Sequence, residues 1–197
     1  MFSGIIQALG SLNSVENSPD KKTLCIDSQS FTNQDIHSGQ SIGIDGICLT
    51  LTKKNKNLLY FDVLDETIRC THLRDIQIGK TFNLERALRL GDEVGGHLVT
   101  GHIDDIGTVD SVTHLGNDVV LKIAFDAKWC PFLISKGSIA INGVSLTVVE
   151  SAPIYFTVHL IPLTLEKTNL SLLKKGDLVN LEFDQIAKYL YKFNSSN

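Results

Sequence analysis

Little in this chain of 197 residues marks a secreted, membrane-spanning or nucleic-acid-binding protein. Its four cysteines, Cys25, Cys48, Cys70 and Cys130, are scattered without any Cys-x-x-Cys pair, in a chain too large to depend on disulfide staples. That usage fits a reducing compartment and suggests neither a disulfide framework nor a zinc site. No apolar run approaches the ~20 residues that cross a bilayer. The N-terminus, MFSGIIQALGSLNS, lacks the basic stretch of a signal peptide and already alternates like a strand. Basic residues are in deficit, 18 against 22 acidic for a net charge of −4, and no run of Lys or Arg exceeds a pair. The electrostatic footprint of a nucleic-acid binder is therefore missing. Also missing are a G-x-G-x-x-G after a strand, a Walker loop and an H-E-x-x-H, so Rossmann-type redox chemistry and a helical zinc site are not expected. The expectation is a soluble cytoplasmic protein with no resident metal.

What is present is written twice. Residues 41–50 read SIGIDGICLT and residues 138–147 read SIAINGVSLT, an offset of 97 positions. The same offset pairs Gly4 with Gly101, Gly10 with Gly107, Thr71 with Thr168, Gly79 with Gly176, Asn83 with Asn180 and Glu85 with Glu182, with no insertion or deletion. Two homologous modules follow, residues 1–97 and 98–184, and a tail, 185–197. Apolar residues at 43% provide a core for each.

Asp45-Gly46 between two alternating runs predicts a hairpin with a type I′ turn, and Asn142-Gly143 repeats it with the other favoured pair. Residues 2–9 read as a strand stopped by Gly10. Residues 17–22 and 53–57 read as turns, and 23–26, 58–63 and 81–85 as strands. Residues 64–73 lack alternation and read as a short helix or an irregular crossing. In the second module 119–125, 155–160 and 178–183 are strands and 129–134 a short apolar segment. Short strands with frequent turn signals argue a closed barrel or a sandwich in each half. In the tail, Ile186, Tyr189, Leu190 and Phe193 recur at three- and four-residue spacing, which predicts an amphipathic helix over 184–193 with Asp184 as its N-cap. Its apolar face packs either on its own barrel or on another subunit.

Twin modules imply twin pockets, so positions where the copies disagree carry the chemical information. Ile5 lies opposite His102, Gly39 opposite Lys136, Cys48 opposite Ser145, Asp62 opposite His159 and Glu66 opposite Leu163, whereas Thr50 matches Thr147 and Thr67 matches Thr164. Matching hydroxyls suggest two pockets for one kind of ligand, and the mismatches suggest different work on it. Each also has a plainer reading: Cys48 as one more small core residue, the hydroxyls as turn partners, Lys136 as a solvated loop cation. The junction GDEVGGHLVTG carries four glycines and leads directly into His102. His97 and His102 stand five apart, on opposite faces of a regular strand, so at most one faces a pocket. Occupying the place of Ile5, His102 is the inward one on this reading, an imidazole suited to acid–base work. His97 then supports the junction. His37, His72 and His114 sit in polar context and carry no assignment.

The segments MFSGII, SIGIDGICLT, GDEVGGHLVTGHID, KGSIAINGVSLT and HLIPLTLEKTNL, in this order and spacing, resemble the riboflavin synthase family of the duplicated-barrel type over essentially all of residues 1–184. The resemblance implies an all-β fold of two homologous six-stranded Greek-key closed barrels in tandem, followed by a C-terminal α-helix. It implies a transferase of riboflavin biosynthesis that moves a four-carbon unit between two molecules of 6,7-dimethyl-8-ribityllumazine, giving riboflavin and 5-amino-6-(ribitylamino)uracil. No metal or organic cofactor is used. A homotrimer is implied, with each active site holding two lumazines between the N-terminal barrel of one subunit and the C-terminal barrel of the next, and the C-terminal helix at the contact.

Carried over by motif, the first pocket comprises Gly4, Ile5, Ile6, Cys48, Leu49, Thr50, Asp62, Val63, Leu64, Asp65, Glu66 and Thr67. The second comprises Gly101, His102, Ile103, Lys136, Ser145, Leu146, Thr147, His159, Leu160, Ile161, Pro162, Leu163 and Thr164. The donor lumazine must lose a proton from its C7 methyl group while the acceptor is attacked at C7. His102 with Ser145 is assigned the proton transfer and Cys48 a place at the other ring. One departure from the family is the second aspartate in HIDDIG, where a glycine-containing run is common. The alternative is a non-catalytic lumazine- or flavin-binding protein of the kind that accompanies light emission. Those relatives tend to lose the GGHxxxGH pattern, which is intact here.

Overall fold

The computed structural model describes residues 1–18 and 21–195. Pro19 and Asp20, inside the turn expected over 17–22, and the last two residues of the tail lie outside the described residues. The first module supplies Ala8–Ser18 (β1), Lys21–Asp27 (β2), Gln29–Thr32 (α1), Ser41–Ile44 (β3), Ile47–Asn55 (β4), Leu58–Leu64 (β5), Asp65–Arg69 (α2) and Thr81–Arg86 (β6). The second supplies Asp105–Leu115 (β7), Asp118–Ala124 (β8), Ser138–Ile141 (β9), Val144–Ala152 (β10), Tyr155–Leu160 (β11), Pro162–Lys167 (α3) and Leu178–Phe183 (β12), and the chain ends in Gln185–Asn194 (α4). Hydrogen bonding closes each set of strands into an antiparallel barrel, in the orders β1-β2-β5-β4-β3-β6 and β10-β11-β8-β7-β12-β9. Closure removes the unpaired edges that an open sheet would have to protect. Alternation does the sorting: Leu59, Phe61 and Val63 of β5 enter the first core, while Leu58, Tyr60 and Asp62 face outward.

Boundaries differ from the sequence reading at 2–9 and 53–57, and the alternatives left open over 64–73 are decided. The expected strand over 2–9 does not form; β1 begins at Ala8 and runs through Gly10. The barrel packs Ile26 and Leu84 so close to Gly10 that any side chain there would collide with them, so the glycine serves packing rather than a stop. Phe2 instead forms a lone bridge with Val99, its N–H donating to the Val99 carbonyl at 2.7 Å and receiving the reciprocal bond at 3.1 Å. The turn expected over 53–57 shrinks to Lys56 and Asn57, because β4 continues to Asn55. Residues 64–73 resolve into α2 and a 3-10 turn at His72–Asp75, capped by the Thr71 hydroxyl.

Phe2 and Val99 are equivalent residues of the two modules, so their bridge marks the axis that relates the barrels. The hairpin tips mark it again. Asp45-Gly46 and Asn142-Gly143 have positive φ at all four residues, as a type I′ turn requires. The two glycines meet back to back: a Cβ on Gly143 would lie 2.6 Å from the Gly46 nitrogen.

Around these tips runs a buried polar seam. Asp45 Oδ1 accepts from the Asn83 N–H at 2.7 Å and from Asn169 Nδ2 at 2.8 Å. Asp45 Oδ2 lies 2.9 Å from His72 Nε2. Asn83 Nδ2 donates to the Asn142 carbonyl, and Asn180 Nδ2 to that of Asp45. His72, given no role from its polar sequence context, is buried. Lys80 Nζ donates to its Nδ1 at 3.0 Å, which leaves the ring's Nε2 to donate to Asp45. The equivalent positions in the second module are Asn142 for Asp45 and Asn169 for His72, but Asn169 turns across the axis, where its amide donates to Asp45 and accepts from Asn83.

Helix α4 starts as expected, with the Asp184 side chain accepting from the Ile186 N–H at 2.8 Å. The face that meets its own barrel carries Lys188, bonded to Asp104, and Tyr191, whose ring stands edge-on to Phe132 at 4.9 Å between centroids. Ile186, Tyr189, Leu190 and Phe193 stay exposed. The expected stripe thus exists but is not the contact with the chain's own barrel. Among the described residues no helix is long and apolar enough to cross a membrane.

The seam gives a first prediction. His72→Asn leaves the buried Asp45 without its imidazole and should lower stability by about 3–5 kcal/mol. Adding Asp45→Asn removes the buried charge that has lost its imidazole donor and should recover at least half of that loss. Urea unfolding measures both, and a double variant no more stable than the single one would contradict the account.

Candidate active site

The hydrogen-bond register places the strands that carry the site. Leu51 of β4 lies opposite Phe61 of β5, the last pair of that ladder, so Cys48 and Thr50 of β4 and Asp62 and Leu64 of β5 lie beyond it toward the same end of the barrel. In the second barrel Val148 lies opposite Val158, likewise the last pair, with Ser145 and Thr147 of β10 and His159 of β11 beyond it at the same end. Alternation removes half of the expected contacts from each surface. The side chains of Leu49 and Val63 are buried in the first core and those of Leu146 and Leu160 in the second, so these four are packing residues. Thr50, Thr147, His159, Leu64 and Leu163 are exposed.

A larger correction concerns which module lines which surface. The leading segments cross over. Gly4, grouped with Cys48 by motif, instead presents its carbonyl to the Ser145 N–H at 2.9 Å, and Ile6 packs against the second core. Gly101, grouped with Ser145, accepts from the Cys48 N–H at 2.9 Å, and Ile103 packs against the first core. Both glycines have positive φ, and a Cβ on either would lie 2.5 Å from the Cβ of the residue it faces. Each surface is therefore built from the strands of one module and the leader of the other. The Phe2–Val99 bridge is where the leaders pass.

Two buried carboxylates hold the leaders. Glu85 Oε1 accepts from the Ser3 N–H at 2.7 Å and the Ser3 hydroxyl at 2.9 Å, and Oε2 accepts from the Gly4 N–H at 3.1 Å. Glu182 Oε1 accepts from the Thr100 N–H at 2.6 Å and its hydroxyl at 2.7 Å, and Oε2 from the Gly101 N–H at 2.9 Å. Burial pushes the Glu85 carboxyl above its ordinary range, against the pull of these donors. The pairing of Glu85 with Glu182 was visible in the repeat; nothing in the sequence said what they bind.

His102 is exposed and does not meet Ser145. His97 does, with Nδ1 2.7 Å from Ser145 Oγ. The crossover explains the exchange: the His97 N–H donates to the Ser3 carbonyl at 3.1 Å, so the junction lies along the first leader and reaches the second barrel's strand. Burial lowers the His97 pKa from its ordinary value of 6.5, while nearby Asp184 pulls the other way. The imidazole is therefore neutral at pH 7. Cys48 is half-buried beside Phe2 and Val99. Asp62 is bonded to Lys21 and to the Thr23 hydroxyl, which hold its carboxyl below the usual range. Glu66 likewise pairs with Arg69. Lys136 is exposed with φ of +67°, a left-handed backbone at the place where the first module has Gly39. Among the described residues no cluster of His, Cys, Asp and Glu could hold a metal ion.

A barrel built twice with a polar surface on each copy defines a tandem ligand-binding protein, and the comparisons give its kind. The lumazine binding domain model matches residues 3–87 and again 100–184, reproducing the repeat. The chain is 37% identical to riboflavin synthase of Actinobacillus pleuropneumoniae over 98% of its length and 89% of the relative's. It is 39% identical to the Escherichia coli riboflavin synthase over 93% of its length and 87% of the relative's. Among solved structures, LumP complexed with 6,7-dimethyl-8-(1′-D-ribityl)lumazine aligns with a TM-score of 0.84 at 27% identity, covering 93% of this chain and 99% of that one. LumP complexed with riboflavin aligns with a TM-score of 0.86 at 27% identity, with the same 93% and 99% covered. The chain belongs to the riboflavin synthase family of duplicated lumazine-binding barrels.

The half-buried His97 has a definite pH signature. As pH falls the unfolded chain takes up the proton first, so stability falls once pH drops below about 6.5 and levels off beneath the folded-state pKa. NMR titration should find an inflection for His97 below 6.5, moving to higher pH in Ser145→Ala if the pair's packing is opened to water. An inflection at or above 6.5 in the unaltered protein would contradict the burial argument.

Proposed function

We propose that this chain is a riboflavin synthase: two molecules of 6,7-dimethyl-8-ribityllumazine, one on each kind of barrel surface, exchange a four-carbon unit to give riboflavin and 5-amino-6-(ribitylamino)uracil. The single observation that carries the mechanism is the His97–Ser145 contact at 2.7 Å, found on one surface and replaced by a thiol on the other. A dismutation of two identical molecules needs related pockets with unlike chemistry. Residues 1–97 and 98–184 supply the two barrels, though each barrel's surface includes the other's leader.

In this reading the neutral His97 imidazole draws the Ser145 hydroxyl proton, and the pair accepts the proton released from the C7 methyl group of the lumazine on the second barrel. Cys48 stands at the C7 position of the lumazine on the first barrel. The exposed hydroxyls of Thr50 and Thr147 suit the ribityl chains, which need many neutral hydrogen bonds. Lys136, an exposed cation where the first module has Gly39, suits a polar group of the ligand on the second barrel. Holding two large rings face to face contributes orientation, worth ~7–11 kcal/mol in favourable cases. The exposed stripe of α4 supports its use as a contact between copies in a homotrimer, and the four free cysteines support a cytoplasmic location.

The second reading is a non-catalytic lumazine- or flavin-binding protein, favoured by the likeness to LumP. Turnover separates the two. Purified protein given the lumazine alone should generate riboflavin fluorescence without any added cofactor; tight binding without product would establish the second reading. Removal of residues 186–197 should lower the mass measured by light scattering, and an unchanged mass would end the proposal that α4 joins the subunits.

A further inference from the structure

The two leader-holding carboxylates do unequal work. Glu182 fixes Thr100 and Gly101, and through the Gly101 carbonyl it steadies one group, the backbone N–H of Cys48. Glu85 fixes Ser3 and Gly4, and both of their carbonyls are used. The Ser3 carbonyl accepts the His97 N–H at 3.1 Å and the Gly4 carbonyl accepts the Ser145 N–H at 2.9 Å. A single buried side chain thus sets the backbone on both sides of the 2.7 Å His97–Ser145 contact, although it belongs to β6 of the opposite barrel. No residue of the second module can play the part of His97 for Cys48, because the position 97 residues on from His97 falls at the end of α4.

We infer that Glu85 is a positioning residue for the second barrel's ligand surface, where it brings His97 and Ser145 into register from across the axis, and that Glu182 does the lesser equivalent for Cys48. The inference rests on the proposed reaction for its kinetic readout. In Glu85→Gln one carboxylate oxygen becomes an amide NH2 facing the Gly4 N–H, so the leader loses one anchor and the pair shifts while the barrel keeps its core. A displacement of the order of 1 Å at reacting groups costs up to about 100-fold in rate.

The test is a set of double-mutant cycles on the full chain with 6,7-dimethyl-8-ribityllumazine. Glu85→Gln should lower kcat by about 10- to 100-fold with KM little changed, as loss of orientation does. Combined with Ser145→Ala it should add little further loss, because both variants disable one device; combined with Cys48→Ser the two losses should multiply. Glu182→Gln should show the reverse coupling, to Cys48 and not to Ser145. Losses of Glu85→Gln that multiply with Ser145→Ala, or couple only to Cys48 in its own barrel, would overturn the inference and leave Glu85 a support of its own module. Should Glu85→Gln fail to fold, Ser3→Ala removes only the hydroxyl bond to Glu85 and should show the same coupling in smaller degree. An NMR titration of His97 in Glu85→Gln keeps the two claims apart. A chain that makes no riboflavin overturns the proposed reaction, while a His97 resonance and inflection unchanged by Glu85→Gln would overturn the positioning of His97 by Glu85.

Discussion

The exchange of leading segments across the Phe2–Val99 bridge is the constraint on which the rest of the molecule depends. Residues 1–6 leave the first barrel to lie along β10 of the second, and residues 98–103 do the converse along β4. Neither barrel completes its own surface. A leader without its acceptor carboxylate would expose two or three backbone N–H groups, and a buried Glu85 or Glu182 without its leader would be a charge with no donors, a costly arrangement in a low-dielectric setting. The two losses are coupled, which ties the barrels together more specifically than the apolar contact of Phe2, Val99 and Ala140 alone.

The axis is also where duplication has been turned into asymmetry. A symmetric pair of identical modules would place equal residues at Asp45 and Asn142, and at His72 and Asn169. The chain instead holds an acid and an imidazole on one side and two amides on the other, joined by hydrogen bonds that cross the axis through Asn83 and Asn180. Each half of the seam satisfies groups of the other. An unpaired buried polar group costs about 1–3 kcal/mol, so a seam of this kind selects one docking of the barrels over neighbouring ones in which the same donors and acceptors would miss.

The repeat, the type I′ hairpins and the barrel strands were legible in the sequence because each rests on local rules: period-two alternation, Asp-Gly and Asn-Gly turns, and letters recurring at a fixed offset. The helix and its Asp184 cap were legible for the same reason. What lay outside local rules was the crossover. Motif spacing placed Gly4 with Cys48 and Gly101 with Ser145 because each pair shares a module, and sequence distance holds no record of a segment that leaves its module. The expected meeting of His102 with Ser145 is absent for the same reason. That expectation compared His102 with Ile5 at equivalent positions, whereas the imidazole that reaches Ser145 comes from the junction, which has no equivalent at all. The glycine-rich run before His97 was the available signal: Gly95 and Gly96 let that backbone lie against the first leader and against Ser145 itself, where a Cβ on Gly96 would sit 2.6 Å from the Ser145 Cβ.

This origin of the imidazole bears on how twin modules come to carry unlike side chains. Substituting residues within equivalent frames yields pairs such as Cys48 and Ser145, a thiol and a hydroxyl at the same strand position. The junction between modules is different in kind, because a tandem duplication has only one of them. Any side chain placed there reaches one surface and not the other, so a single linker breaks the twofold equivalence without disturbing either barrel. His97 uses that position, and its neighbours Ser3 and Gly4 are already fixed by Glu85 for a structural purpose common to both modules. Part of the asymmetry between the two surfaces therefore arises from the one segment that symmetry does not copy, held in place by an anchor that symmetry does.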